Sequence, residues 1–269
     1  MDVTLQLGSF VLPGPLLVLM AAAAFTFWIG RRLGGLRGRE VQSLIWQSLL
    51  FGLCVARLVF VWQFGSAYLA NPLDVLNIRD GGWRSDVGFI AGWLYALAQL
   101  AHRPLLKLPL LWAMAAGSSL WLAGSVALAA LPGTGQTLPD IELATAQGTR
   151  VNLSSFTGAP TVVNLWATWC PPCVREMPVL EQAQIDHPSV HFVFINQREP
   201  AERVNAWLAA RQLKLRHVLL DDNRQAGAAF GYSALPTTLF FDASGKLVSV
   251  RVGELSTATL AEKLRKIVP

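Results

Sequence analysis

Apolar and polar positions change their rhythm near residue 132. Before it, charges are gathered into short clusters between long apolar runs: 10–30 and 108–131 carry none, 41–62 carry only Arg57, and no charge lies between Asp86 and Arg103. At about 1.5 Å per residue, a helix over 10–30 reaches roughly 32 Å, enough for a hydrocarbon core of about 30 Å. The pattern predicts an α-helical membrane domain over 1–131 with four spans, at 10–30, 41–62, 85–104 and 108–131. The third is the shortest, and a re-entrant segment is its alternative. Pro13 and Pro15 fall in the first turns of the first span, where a missing N–H costs least. Beyond it, Pro132-Gly133-Thr134-Gly135-Gln136-Thr137 combines turn formers without apolar periodicity, and 132–138 reads as a linker.

From 139 to 269, short apolar runs alternate with amphipathic stretches. Residues 161–166, 173–185 and 191–195 read as strand, helix, strand, a βαβ unit. A helix over 200–212 shows Val204, Trp207 and Leu208 on one face, and strands follow at 217–220 and 237–241, with a short helix near 224–230 between them. Asp242-Ala243-Ser244-Gly245 turns the last of these into a hairpin with 246–252. Ser256 then caps a terminal helix to about Ile267. The second domain is therefore α/β.

Composition agrees with a divided chain. Of 269 residues, 53% are apolar and 14% charged, a balance that excludes a disordered chain. Residues 1–133 hold nine Lys/Arg and five Asp/Glu, whereas 134–269 hold thirteen and twelve in an ordinary soluble mixture. The densest basic cluster, Arg31, Arg32, Arg37 and Arg39, follows an apolar run and lacks interleaved aromatics, so no nucleic-acid partner is expected. A cleaved signal peptide is not expected either: the N-terminus has no positive region, and Arg31-Arg32 stands where small residues would be needed.

Four spans sort the flanking charges into two sets. Arg31, Arg32, Arg37, Arg39, Arg103 and Lys107 lie on one side; Arg79 and Arg84, balanced by Asp74, Asp80 and Asp86, lie on the other. The positive-inside rule puts the first set in the cytoplasm, so the N-terminus and everything after 131 face the bacterial periplasm. Arg57 is costly inside a span. It is a functional candidate, or it snorkels outward and pairs with a loop aspartate.

Leu7-Gly8-Ser9-Phe10, Gly30-Arg31-Arg32, Ala56-Arg57-Leu58-Val59-Phe60 and Gly81-Gly82 resemble the opening helices of prolipoprotein diacylglyceryl transferases. The resemblance covers about the first 105 residues, as a truncated version of that family. It departs where chemistry matters, because Asp86 stands where the family has an important histidine, and lipid transfer is not expected.

Two of three cysteines stand as one pair, Trp169-Cys170-Pro171-Pro172-Cys173, between a strand and the first turn of a helix. That context reads as a dithiol redox centre. Cys170 beside unpaired amide donors and the positive dipole end favours a thiolate, below the free-thiol pKa of about 8.5. The thiolate attacks in disulfide exchange, which makes Cys170 the nucleophile and Cys173 the resolving thiol. A buried structural pair and half of a metal site are the alternatives; His187 and His191 are separated by Pro188, which argues against a ligating helix face. Glu176 lies one turn beyond Cys173 and can reach the thiols. Trp169 covers the disulfide or packs as an ordinary apolar residue, Trp166 is core, and Cys54, in a span without a partner, is a small apolar residue.

The segment from Val163 through Trp169-Cys170-Pro171-Pro172-Cys173 to Pro178 resembles the active-site segment of TlpA/ResA-type thioredoxin-like proteins, and the likeness extends over most of 138–269, including Ala234-Leu235-Pro236-Thr237-Thr238. It implies a thioredoxin-like fold, a cis Pro236 facing the disulfide, and Glu176 as the active-site acid, in a chain that has Asn164 where ordinary thioredoxins bury an aspartate. It also implies a membrane-anchored thiol-disulfide oxidoreductase with no cofactor beyond its own redox-active disulfide. Such a protein reduces disulfide-containing periplasmic protein substrates, commonly apocytochrome c or copper-site cysteines, with electrons from a DsbD-like transmembrane donor. An oxidase or isomerase, and a Cu(I) chaperone using the same two thiols, are the alternatives.

Overall fold

In the computed structural model, residues 4–7, 10–69, 72–130 and 136–268 are described. Two short strands, β1 (Thr4–Leu7) and β2 (Phe10–Pro13), pair antiparallel ahead of the first helix. This corrects the expected start of the first span: α1 runs Gly14–Gly34, and Pro13 ends a strand instead of opening a helix. Pro13 is drawn into the strand pairing opposite Thr4, whereas Pro15, second in α1, gives up only a donor without a partner. At its other end α1 carries Arg31 and Arg32 in its last turn and stops where Gly35 takes φ +52°, a conformation glycine adopts without penalty.

A 3₁₀ turn, Gly35–Arg37, joins α1 to α2 (Gly38–Gln63). One further turn, α3 (Gly65–Tyr68), leads into 3₁₀ segments at Pro72–Leu76 and Ile78–Asp80, then α4 (Ser85–His102) and α5 (Lys107–Ala130). Each expected span thus falls largely on a helix, the first only from residue 14. By length and apolarity, two helical stretches are fit to cross a membrane: Gly14–Gln63, which α1 and α2 form together, and Pro104–Leu128. α4, at 18 residues, is not among them.

Small residues let these helices approach closely. A Cβ on Gly52 would lie 2.6 Å from the Gly88 carbonyl oxygen, and one on Gly88 2.7 Å from that of Gly52, so α2 and α4 touch backbone to backbone. Between α5 and α1, Gly117 makes room for the Thr26 side chain instead, whose hydroxyl oxygen a Cβ there would overlap.

The linker expected at 132–138 falls mostly outside the described residues. The α/β domain begins earlier than 139: Thr137 bridges to Lys246 and Leu138 is buried. Next come a hairpin of β3 (Glu142–Thr145) and β4 (Arg150–Asn152), then β5 (Thr161–Trp166), α6 (Pro171–Asp186), β6 (His191–Gln197) and α7 (Ala201–Ala210). β7 (His217–Asp221), α8 (Gln225–Phe230), β8 (Thr237–Phe241), β9 (Leu247–Val252) and α9 (Thr257–Leu264) complete it. The seven strands lie in the order β4-β3-β7-β6-β5-β8-β9, with β5, β6 and β7 parallel and β8 and β9 antiparallel to their neighbours.

Alternation along the central strands feeds two cores. Val162, Trp166, Phe192, Phe194 and Phe240 face α6, α7 and α9, while Val163, Leu165, Val193, Ile195 and Phe241 face α8 and Phe156. Because helices cover both faces, all six residues of β5 are buried. The rigid strand then ends at Trp166 and delivers the next four residues to the first turn of α6.

Candidate active site

Cys170 is the N-cap of α6: its backbone is extended (φ −94°, ψ 104°), and its Sγ accepts the Cys173 amide at 3.3 Å. Pro171 and Pro172 occupy the first helical positions, where their missing donors would have no partner. The two cysteines form a disulfide with Cα atoms 5.3 Å apart. Cys170 is 4% exposed and Cys173 0%: both are buried, the second completely. Among the described residues no group of three or more His, Cys, Asp or Glu side chains is placed to hold a metal ion.

Glu176 is fully buried one turn along α6, not solvated on the helix surface. One carboxyl oxygen accepts from Asn164 Nδ2 at 2.8 Å, and the other from the Leu255 amide at 3.0 Å. Asn164 donates also to Thr238 Oγ1 at 3.0 Å, which ties β5, β8 and α6 together at the site. Loss of solvent pushes the Glu176 carboxyl up to about 8, against the two hydrogen bonds and Arg251, which favour its charged form; Glu254 adds a smaller upward push. A carboxyl poised there exchanges a proton near neutrality, as a partner to the resolving thiol must.

The Leu235–Pro236 peptide is cis, and the Pro236 carbonyl accepts the Gly253 amide at 2.9 Å. Trp169, directly before Cys170, is 60% exposed, so it is not core packing, whereas Trp166 is wholly buried against Trp207. His187 ends α6 and His191 begins β6, where its ring packs edge-on to Phe156.

One buried group here escaped the sequence reading. Glu199, 2% exposed just after β6, accepts the Thr168 amide at 2.7 Å, the Thr168 hydroxyl, and Asn196 Nδ2 at 2.9 Å. It fastens the loop carrying Trp169 and Cys170 to the neighbouring strand. An acidic residue directly before Pro200 and a helix start is the sole local signal, and it reads as an ordinary loop residue.

Residues 133–264 match the Redoxin family. The thiol-disulfide oxidoreductase ResA of Geobacillus thermodenitrificans is 30% identical over 138 residues, which span 50% of this chain and 78% of that protein. The chain belongs to the ResA-type thiol-disulfide oxidoreductases. ResA of Bacillus subtilis is 29% identical over 137 residues, 50% of this chain and 76% of that protein. Among solved structures, a putative thiol:disulfide interchange protein DsbE from Chlorobium tepidum shares 26% identity, covering 50% of this chain and 97% of that one with a TM-score of 0.46.

The Redoxin match starts at residue 133 and leaves the helical half to its own geometry. There, Asp86 is exposed and paired with Arg84 at 2.6 Å. Arg57 is buried and paired with Asp80 at 2.9 Å, the loop-aspartate arrangement that was one of its two sequence readings. Cys54 is a free, exposed thiol.

Proposed function

We propose that this ResA-type oxidoreductase works as a reductase at the periplasmic face of a bacterial inner membrane, anchored by four spans, with selected disulfide-containing proteins as its substrates. The observation that carries it is a disulfide whose first cysteine caps a helix N-terminus, with a buried carboxyl one turn beyond the second on the same helix. In the reduced protein the Cys170 thiolate attacks one sulfur of the substrate disulfide; the S–S bond breaks and the other substrate sulfur leaves as a thiolate. Glu176 takes the proton of Cys173, whose sulfur then attacks Cys170 Sγ and expels the second substrate thiolate. Two electrons pass to the substrate, and Cys170–Cys173 is left as a disulfide.

Trp169, directly before the nucleophile and exposed, and the cis Pro236 would supply the surfaces on which a substrate backbone lies. A DsbD-like transmembrane donor restores the dithiol, and apocytochrome c or a copper-site protein is the expected substrate class. Membrane anchoring is supported by where apolar surface is left bare: of the large hydrophobic side chains exposed among the described residues, all but Trp169 and Ile185 lie within residues 16–126.

A trap tests the reading. Cys173→Ser leaves Cys170 with no resolving partner, so cells expressing it should yield a mixed disulfide whose partner, identified by mass, is an exported cysteine protein. If Cys173→Ser recovers no more covalent partner than a Cys170→Ser control, the reductase reading fails.

A further inference from the structure

The end of the helical half that meets the redoxin domain is organised by Arg57. Its guanidinium donates to both carboxylate oxygens of Asp80, at 2.9 and 3.3 Å, and to the carbonyl oxygens of Asp74, Val75, Asn77 and Gly82 at 2.8 to 3.0 Å. All its N–H groups point at protein acceptors, which fits a structural keystone and leaves no donor for a ligand. Asp80, itself buried, accepts two further hydroxyls: Tyr68 at 3.3 Å from its own half and Ser256 at 3.2 Å from the redoxin domain.

Ser256 caps α9, and the contact spreads from it. Ala258 is buried against Phe60, Phe64 and Tyr68, with Ala67 and Ala261 at the margin. The Arg265 guanidinium lies 4.8 Å over the Phe64 ring. The Arg251 guanidinium comes so close to Gly81 that a Cβ there would sit 2.2 Å from it. The residue preceding Ser256 is Leu255, whose amide bonds Glu176. A continuous path of short contacts therefore runs from the keystone of the helical half to the carboxyl beside the dithiol.

We propose that the 57–82 cap is a cradle that seats the redoxin domain by its C-terminal helix, and that by fixing Ser256 it holds the Leu255 amide on Glu176, so the helical half tunes thiol exchange as well as tethering it. This rests on the reading of Glu176 as the group that takes the Cys173 proton. The charges facing Glu176 are Arg251, from β9, and Glu254, which Arg175 of α6 holds in a salt bridge; Asn164 and the Leu255 amide are the neutral groups. Unseating the domain withdraws the Leu255 amide and Arg251, both of which favour the carboxylate.

The experiment uses the full chain in lipid nanodiscs with Ala67→Arg and Ala258→Arg, which put a bulky cation into the contact from opposite sides. Ala67 lies outside the redoxin domain, so its substitution leaves that fold intact. Hydrogen exchange over 255–264 should accelerate about tenfold or more in both variants. The pH midpoint for resolution of a Cys170 mixed disulfide with a small aromatic thiol should rise by about half a unit in both. Ser256→Ala should move the midpoint the same way, and Ser256→Thr, which keeps the hydroxyl, should restore it. Unchanged exchange in both Arg variants overturns the cradle; accelerated exchange with a fixed or lowered midpoint overturns the coupling. Failure of the underlying reading looks different: Glu176→Gln in the otherwise unaltered protein would leave the pH profile where it was.

Discussion

At the scale of single residues, the site turns on a carboxyl that folding keeps from ionising. Glu176 is buried and pushed up to about 8, well above the range of a solvated glutamate. Because the folded state holds this proton more tightly than the unfolded one, its contribution to stability is complete below the ordinary carboxyl pKa of about 4.3 and is lost as pH rises through about 8. Glu176→Gln cannot ionise, so unfolding scans should find the variant more stable than the parent at pH 9 and no more stable at pH 5. The same substitution removes the proton acceptor for Cys173, and stopped-flow measurement of mixed-disulfide resolution at pH 7 should show a loss of about 10²-fold. Equal pH dependence of stability in the two proteins would refute the assignment. The sequence placed Glu176 within reach of the thiols because α6 is local and regular. Its burial was not legible, since Asn164 and Leu255 come from β5 and from 79 residues further along the chain. Glu199 was missed for the same reason: its partner Thr168 is 31 positions away.

At the scale of elements, periodicity located every long helix and the five strands nearest the site, and it failed where elements are short or of mixed polarity. β3 and β4 have three or four residues each, with Glu142, Arg150 and Asn152 among them, and alternate too briefly to stand out. β2 is apolar throughout and continues directly into α1, so its pattern is indistinguishable from a helix start. The helix crossings were likewise hidden, because which glycines meet is decided by how two helices lie on each other. Gly52 and Gly88 show the consequence: α2 and α4 approach so closely that neither position has room for a side chain. Gly52→Leu must force the helices apart. Overpacking of this kind costs about 1–3 kcal/mol, and thermal unfolding of the protein in detergent should show a clear drop, with Gly52→Ala between it and the parent. An unchanged midpoint for Gly52→Leu would mean that the close crossing is absent.

At the scale of the whole molecule, two independent observations fix which end of the helical half the redoxin domain occupies. Charge gathers Arg31, Arg32, Arg37, Arg39, Arg103 and Lys107 at one end, the end that the positive-inside rule would assign to the cytoplasm on the proposed four-span reading. The contact of Ser256 with Asp80 puts the redoxin domain at the other end, beside the loop that follows α2. Neither observation uses the other, and on the proposed four-span reading they put the dithiol and the basic cluster on opposite sides of the bilayer. On the proposed four-span reading, a C-terminal alkaline phosphatase fusion should be active and a C-terminal green fluorescent protein fusion dark, while phosphatase fused after Arg39 should be inactive. Replacing Arg31, Arg32, Arg37 and Arg39 with Gln removes four of the six cations that bias that end. It should therefore produce a mixed population in which a fraction of the C-terminal phosphatase loses activity. A fully active C-terminal green fluorescent protein in the unaltered chain would place the dithiol among cytoplasmic thiols, where glutathione and thioredoxin already keep disulfides reduced, and the reductase proposal would lose its compartment.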